Sequence, residues 1–589
     1  MRRLGRAVLV VLAVFGALGL LLTAGGAVLL AKREPALPDR FVLALDLDEG
    51  VAEGTPDTPF GWYRMYDHVP IGDLIEALDR AATDPRVAAL EARIGDAPIG
   101  MAQAEQIRRA VARFRQAKKP AYLFSPSFGG TVSYHIATAF DQVWLQPSGD
   151  LGLTGFVAET PFLRTALDSL GIVPVFSARH EYKSAPEIFT ATDFSANGRE
   201  TLDKLLTSWS ERVIADIAER RGLKPEAVRA AIDNAPLPAG EARAAKLVDQ
   251  LGYLDEMRTV LREAAGTAKP VSLRTYHAHR EPPPSHARKI ALIHGIGTVG
   301  RGESQFNSVA DDAVMGAKTL TKAFADAAKD EDVAAIVFRV DSPGGDYVAA
   351  DAIWREVKRA REKGKPVIVT MGNVAASGGY FVAMPANRII AEPGTITGSI
   401  GVFAGKFVLR DFWNKLGVRW GEVHVGANAP MWSSNRDFTP EQRARFEAML
   451  DTIYADFTAK AAAGRSLTLQ QVDQIARGRV FSGTDALRVG LVDALGGLDT
   501  AVEEARKAAG ILPDEPIRLT PFPSPKPFAE LLAQALSGEE LPIDLSAREA
   551  RAALADLRRL SDTLKPLTRH LDAVGGKEGT LRAAPIDTR

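Results

Sequence analysis

The sequence predicts an α/β protein: two tandem copies of one domain behind an N-terminal transmembrane helix. Three observations carry this. A run of 24 uncharged residues, Val8 to Ala31, opens the chain. The chain then matches itself without a gap from Leu74/Leu320 to Val157/Phe403, at an offset of 246 residues. Within each copy, short apolar segments alternate with stretches of helical spacing, the pattern of crossover units around a parallel sheet.

As a helix, Val8–Ala31 spans roughly 36 Å, enough to cross a bilayer. Arg2, Arg3 and Arg6 precede it and favour an N-in, C-out orientation. The competing reading is a cleaved signal peptide. The run is longer than a signal core and no clean small-x-small site ends it, so residues 1–33 are read as an uncleaved anchor. A buried soluble helix is disfavoured, because the run is apolar on every face.

The first copy is expected over 40–269 and the second over 289–520. Strands Phe41–Leu47 and Ile290–His294 open them. Helices Asp73–Ala82 and Lys318–Ala328 follow, then strands Val87–Ile94 and Val333–Val340. Next come helices Gln103–Gln116 and Ala350–Glu362, and strands Pro120–Phe124 and Pro366–Thr370. The match returns at Leu247–Gly252 and Leu491–Gly496, at offset 244. A repeat this long means two copies of a fold, not a solenoid. Residues 270–288, with three prolines at 282–284, read as a linker. Residues 521–589 read as a tail, either helical near Ala547–Leu560 or partly disordered.

A net charge of −1 and 7% aromatic residues give no reason to expect nucleic acid. The absence of cysteine excludes disulfides, thiol catalysis and cysteine-ligated zinc, but fixes no redox compartment. His277, His279 and His286 surround the linker. They read as solvated, with no carboxylate cluster to support a metal site. No cofactor is expected.

The differences between the copies carry the chemistry. The second copy has Ala375-Ala376-Ser377-Gly378-Gly379-Tyr380, and Ser377 falls on Thr131 of the first. The first copy has Tyr182-Lys183-Ser184, and Lys183 falls on Ala427 of the second. Each copy keeps half of a Ser–Lys pair. Ser377 follows a strand and precedes a helix-like run, where free backbone N–H groups suit an oxyanion. Gly378 offers one donor. Asp341-Ser342-Pro343-Gly344-Gly345-Asp346 offers a second from Gly344 or Gly345, whereas the first copy has Pro98 there, with no N–H to give. Lysine serves as a base only if its pKa falls from about 10.4 toward neutrality. Ser399 could orient it, and its counterpart is Leu153. His424 is the alternative base, but its valine neighbours favour a structural role.

Each motif alone has a blander reading. A Ser-Gly-Gly is usually a turn, a lone lysine a solvated charge, Ser-Pro-Gly-Gly a turn. Their joint occurrence with complementary losses is what argues for catalysis. Together, Ala375–Tyr380, Ser342–Gly345, Thr397–Gly401 and Tyr182–Ser184 resemble the signal peptide peptidase A (protease IV) family in its long, duplicated form. The resemblance covers roughly residues 1 to 520. It implies two Clp/crotonase-like domains and a membrane-anchored homo-oligomer, a tetramer, with its catalytic domains on the periplasmic side of the inner membrane. It also implies cleavage of released signal peptides. By the same resemblance, Ser377 is the nucleophile and Lys183 the general base. Ser399 orients the lysine, and Gly378 with Gly344 or Gly345 forms the oxyanion region. Two other classes stay open: a crotonase-type acyl-CoA enzyme, which CoA binding would reveal, and an inactive membrane scaffold, which would resist serine-directed probes.

Overall fold

The computed structural model describes residues 36–54, 68–266, 269–307, 312–524, 580–582 and 587–588. The expected anchor at 1–33 lies outside the described residues. Among those described, no helix is long and apolar enough to cross a membrane.

Near-continuous apolar runs, such as Val333–Phe338, have no polar face to give to water. They form parallel strands covered on both sides by helices. The first copy builds a parallel six-stranded sheet. Its order is Gln250–Leu251, Gln142–Leu145, Ala121–Ser125, Val87–Arg93, Phe41–Asp46 and Pro270–Ser272. The second copy repeats that order with Ala494–Leu495, Arg388–Ala391, Val367–Ala376, Val333–Ser342, Arg288–Ile296 and Ile517–Phe522. Each copy has its own large apolar core. The helix Tyr347–Glu362 shows how the local code works. Asp346 caps it by accepting the Ala349 N–H at 2.7 Å, and Ala349, Ile353, Val357 and Ala360 recur at helical spacing on the buried face.

Two boundaries differ from the sequence reading. Pro270–Ser272 and the helix Leu273–Ala278 belong to the first copy rather than to a linker, because Val271, Leu273 and Tyr276 bury themselves in its core. Such short elements leave no periodicity to read. In the tail, Ile517–Phe522 closes the second sheet, and Thr580–Arg582 and Asp587–Thr588 are strands; the helix expected near Ala547–Leu560 lies outside the described residues.

The copies are locked by buried polar groups. Arg339, only 1% exposed, donates to Glu53 of the first copy at 2.6 Å, and Gln103 donates to the other Glu53 oxygen at 2.9 Å. Asn373 Oδ1 accepts the N–H groups of Ala102 and Gln103. Arg109 pairs with the fully buried Glu392 and with Asp499.

The copies also share a sheet. Val173–Arg179 leaves the first copy and pairs antiparallel with Val402–Val408 of the second, over seven residue pairs. Phe176 of the one and Phe407 of the other meet edge to face at 5.3 Å, with Phe189 against both. The seven-stranded sheet they end also contains Gly344–Asp346. The first copy thereby delivers the residues after Arg179 to the second copy's glycine loop.

Candidate active site

Ser377 ends the strand Val367–Ala376 and precedes the short helix Gly378–Ala383. Its φ is +56°, a region costly for a side-chain-bearing residue. Two bonds hold it there: Ser377 N donates to Gly398 O at 2.9 Å, and Phe381 N donates to Ser377 O at 2.8 Å. The serine is fully buried in the single chain.

Lys183 arrives from the other copy at the end of the shared strand. Its backbone is gripped by the second copy, where His180 N and Tyr182 N both donate to Arg477 O. Gly478 must be glycine, since an added Cβ would sit 2.4 Å from Lys183 N. Lys183 Nζ then lies 2.9 Å from Ser377 Oγ, 2.9 Å from Ser399 Oγ and 3.0 Å from Ser399 O. Lys183 is 4% exposed, and burial alone holds its pKa well below the usual 10.5. No carboxylate offsets that burial. Three partners suit a neutral amine: two N–H bonds go to the Ser399 oxygens and the lone pair faces the Ser377 O–H.

The glycine loop lies against this pair. A Cβ on Gly378 would be 3.0 Å from Gly345 N and 3.1 Å from Gly344 Cα. Gly344 N already donates to Ser342 Oγ at 3.2 Å, which leaves Gly345 N as the better-placed second donor toward an oxyanion. Gly345 has φ +158°, and a Cβ there would strike Val299 O at 2.2 Å. Beneath the loop, Asp341 accepts from Val374 N at 2.8 Å and ties it to the serine strand. Burial first, then the negative charge of Glu53, push the Asp341 pKa up.

All six residues singled out in the sequence, Ser377, Lys183, Ser399, Gly378, Gly344 and Gly345, fall within this one cluster. His424 does not: it sits in an exposed segment, 2.9 Å from Glu422. His180 and Glu181 are not simply solvated, since His180 packs edge-on to Tyr454 at 4.6 Å and Glu181 pairs with Arg477 at 2.8 Å. The linker histidines also need correction. His277 is mostly buried, with Nε2 3.6 Å from Asp73 Oδ1, and the side chains of His277, Asp73 and Glu76 come within 4.8 Å of one another, a grouping that residues 200 positions apart could not announce. Arg280 also acts on both Asp73 and His277.

Sequence reasoning passed over the Arg477–Gly478 grip, and within the glycine-loop motif it assigned no role to Asp341 or Ser342. A paired site is absent from the first copy. There Thr131 Oγ1 donates to Gly155 O and accepts from Gly155 N, both at 2.9 Å, so its hydroxyl is engaged by backbone.

A small cleft of ≈ 30 Å³ borders the lysine. Phe162, Ala185, Ile188, Phe194, Leu202 and Val480 give it an apolar lining.

The model of peptidase family S49 matches residues 113–268 and 359–512. The two matches start 246 residues apart and end 244 apart, the same offsets as the internal repeat. The chain is 31% identical over 476 residues to the chloroplastic serine protease SPPA of Arabidopsis thaliana, covering 78% of this chain and 69% of that protein. It is 28% identical over 509 residues to protease 4 of Haemophilus influenzae, covering 81% and 80%. Among solved structures, a ClpP1 mutant from Listeria monocytogenes aligns at 14% identity and TM-score 0.23, covering 36% of this chain and 94% of that one; at that score the alignment adds no argument.

Proposed function

The chain belongs to peptidase family S49 and is a serine peptidase, and from that premise we propose that it is a membrane-anchored endopeptidase that uses Ser377 and Lys183 to degrade released signal peptides in the cell envelope. The observation that supports the dyad most is the 2.9 Å contact between Lys183 Nζ and Ser377 Oγ in a dry site without a counter-charge.

The steps follow from the geometry. Neutral Lys183 takes the Ser377 proton as Oγ attacks the substrate carbonyl. The tetrahedral oxyanion accepts from the Gly378 and Gly345 N–H groups. Lys183, now an ammonium steadied by Ser399, returns its proton to the leaving amine nitrogen, and the C–N bond breaks. Water then enters, gives a proton to Lys183 and attacks the acyl ester. Collapse returns that proton to Ser377 Oγ and frees the carboxylic acid. Signal peptides fit the apolar lining beside Lys183. The uncharged run at 8–31 supports the anchor, and an N-in orientation sets both copies outside the inner membrane as a homo-oligomer.

The test uses the detergent-solubilised full chain on casein and on a synthetic signal peptide. Ser377→Ala and Lys183→Ala each abolish cleavage, while both keep the wild-type circular dichroism. Because the pair is buried within one chain, a mixture of the two mutants stays inactive. Cleavage at the wild-type rate by either mutant refutes the dyad. Cleavage of casein without the signal peptide refutes the substrate assignment alone.

A further inference from the structure

We propose that Arg479 is a positioning residue for the peptidase reaction: its carbonyl holds Ser399, its guanidinium holds the ring of Tyr182, and Lys183 is fixed between the two. The inference rests on the Ser377–Lys183 reading and adds to it the part that keeps the amine in place.

Lys183 is a flexible side chain on a segment that comes from the other copy. Its 2.9 Å contacts to Ser377 and Ser399 hold only if its own backbone and Ser399 both stay put. Neither is secure by itself. Ser399 has φ +52°, a region costly for a residue with a side chain. Tyr182, the residue before the lysine, is half-buried and lines the cleft, so core packing alone does not hold its ring.

Arg479 reaches both. Ser399 N donates to Arg479 O at 2.7 Å. The guanidinium carbon of Arg479 lies 3.8 Å from the centre of the Tyr182 ring. Tyr182 Oη donates to one oxygen of Glu200 at 3.1 Å, and Arg479 donates to the other at 3.4 Å. Arginine, ring and carboxylate thus close a triangle between the two copies. Glu200 is 39% exposed, so the charge pair contributes little, and the planar stack on the ring is the firmer contact. The charged groups around the lysine are already matched. Arg477 pairs with Glu181 and Asp473, Arg479 and Lys204 share Glu200, and Glu187 accepts from Ser195. The clamp therefore acts through position and burial rather than through an unpaired charge.

The repeat gives an independent indication. Pro238 and Ser482 precede the helices Ala239–Ala244 and Gly483–Arg488 at offset 244. Arg477-Gly478-Arg479 therefore falls on Asp233-Asn234-Ala235. The copy that has Thr131 for Ser377 and Leu153 for Ser399 also lacks this arginine. Arg479 goes with the reacting copy, as the two serines do.

The test follows casein cleavage by the detergent-solubilised full chain across pH. It compares wild type, Arg479→Ala, Tyr182→Phe, Tyr182→Leu and the double variant Tyr182→Leu/Arg479→Ala. Without the clamp water reaches the amine, its pKa climbs back toward 10.5, and less of it is neutral. We expect Arg479→Ala to lower kcat about tenfold at neutral pH with KM unchanged, and to move the ascending limb to higher pH. Tyr182→Phe keeps the ring and stays within about threefold of wild type. In the Tyr182→Leu background Arg479→Ala changes neither kcat nor the limb further, because the arginine acts through that ring. Should the alanine variant lose the wild-type circular dichroism, Arg479→Gln takes its place with the same expectations. A rise in KM at unchanged kcat overturns the proposal, since Arg479 would then touch substrate. So does a limb that stays in place, or an equal loss with and without the Tyr182 ring. Lys183→Ala is measured beside them: wild-type cleavage by it refutes the dyad, whereas its inactivity together with a wild-type Arg479→Ala refutes the clamp alone.

Discussion

Replacing Lys183 with methionine should make the protein inactive and, at neutral pH, more stable. The lysine is buried with no opposite charge, and burial lowers its pKa well below 10.5. The unfolded chain keeps the ordinary value and binds a proton that the folded chain refuses. Unfolding therefore gains protons, and wild-type stability rises with pH up to 10.5. Each pH unit between the lowered pKa and 10.5 costs the fold about 1.4 kcal/mol. Methionine fills a similar volume without that cost. It leaves Ser377 and Ser399 without a nitrogen partner, at about 1 kcal/mol each. The variant is therefore the more stable at neutral pH, and its advantage shrinks by about 1.4 kcal/mol per pH unit as the pH rises toward 10.5 and reverses before that pH is reached. The assay is urea unfolding of wild type and variant in parallel from pH 7 to 10, followed by tryptophan fluorescence. A variant no more stable than wild type at pH 7, or a difference that does not change with pH, would mean that Lys183 is charged in the fold. The general-base role would then fail.

Three more outcomes follow from contacts described above. Peptidase activity rises with pH along a limb set by Lys183, and Ser399→Ala lowers kcat by about ten- to a hundredfold, because the amine loses the oxygen that orients it; a pH–rate profile of both proteins checks this. Gly345→Ala abolishes cleavage while leaving the cores folded, since its Cβ would meet Val299 O at 2.2 Å and the loop must move; near-wild-type kcat would exclude Gly345 as a donor. Glu53→Ala destabilises the protein by about 3–5 kcal/mol, because it strands a buried Arg339 guanidinium; a loss under 1 kcal/mol in denaturant titration would show that water reaches the site.

The succession of strands and helices and the cluster around Ser377 were legible because they repeat or differ between the copies. The 246-residue offset aligned Val87 with Val333, and the mismatch of Thr131 with Ser377 marked the chemistry. What stayed hidden depends on distance in space. Nothing near Arg477 signals that its carbonyl holds the backbone beside Lys183. Nor does Glu53 signal its partner Arg339, 286 residues away. Pro270–Ser272 is too short to show a period and is a strand only because Phe41–Asp46 lies beside it. Pro282–Pro284 drew the linker boundary toward itself and hid the helix before it.

The split of the pair between copies also acts as a clock. Lys183 and Ser377 are 194 residues apart in the chain. The lysine is held by Arg477 and Gly478, which come a further hundred residues later. A ribosome must therefore make nearly all of both copies before the amine has a place to bury. Until then it is an ordinary charged lysine and the serine an ordinary hydroxyl. On the proposed dyad, hydrolytic power switches on only after the second copy has been made as far as Gly478, so shorter nascent chains carry no assembled pair.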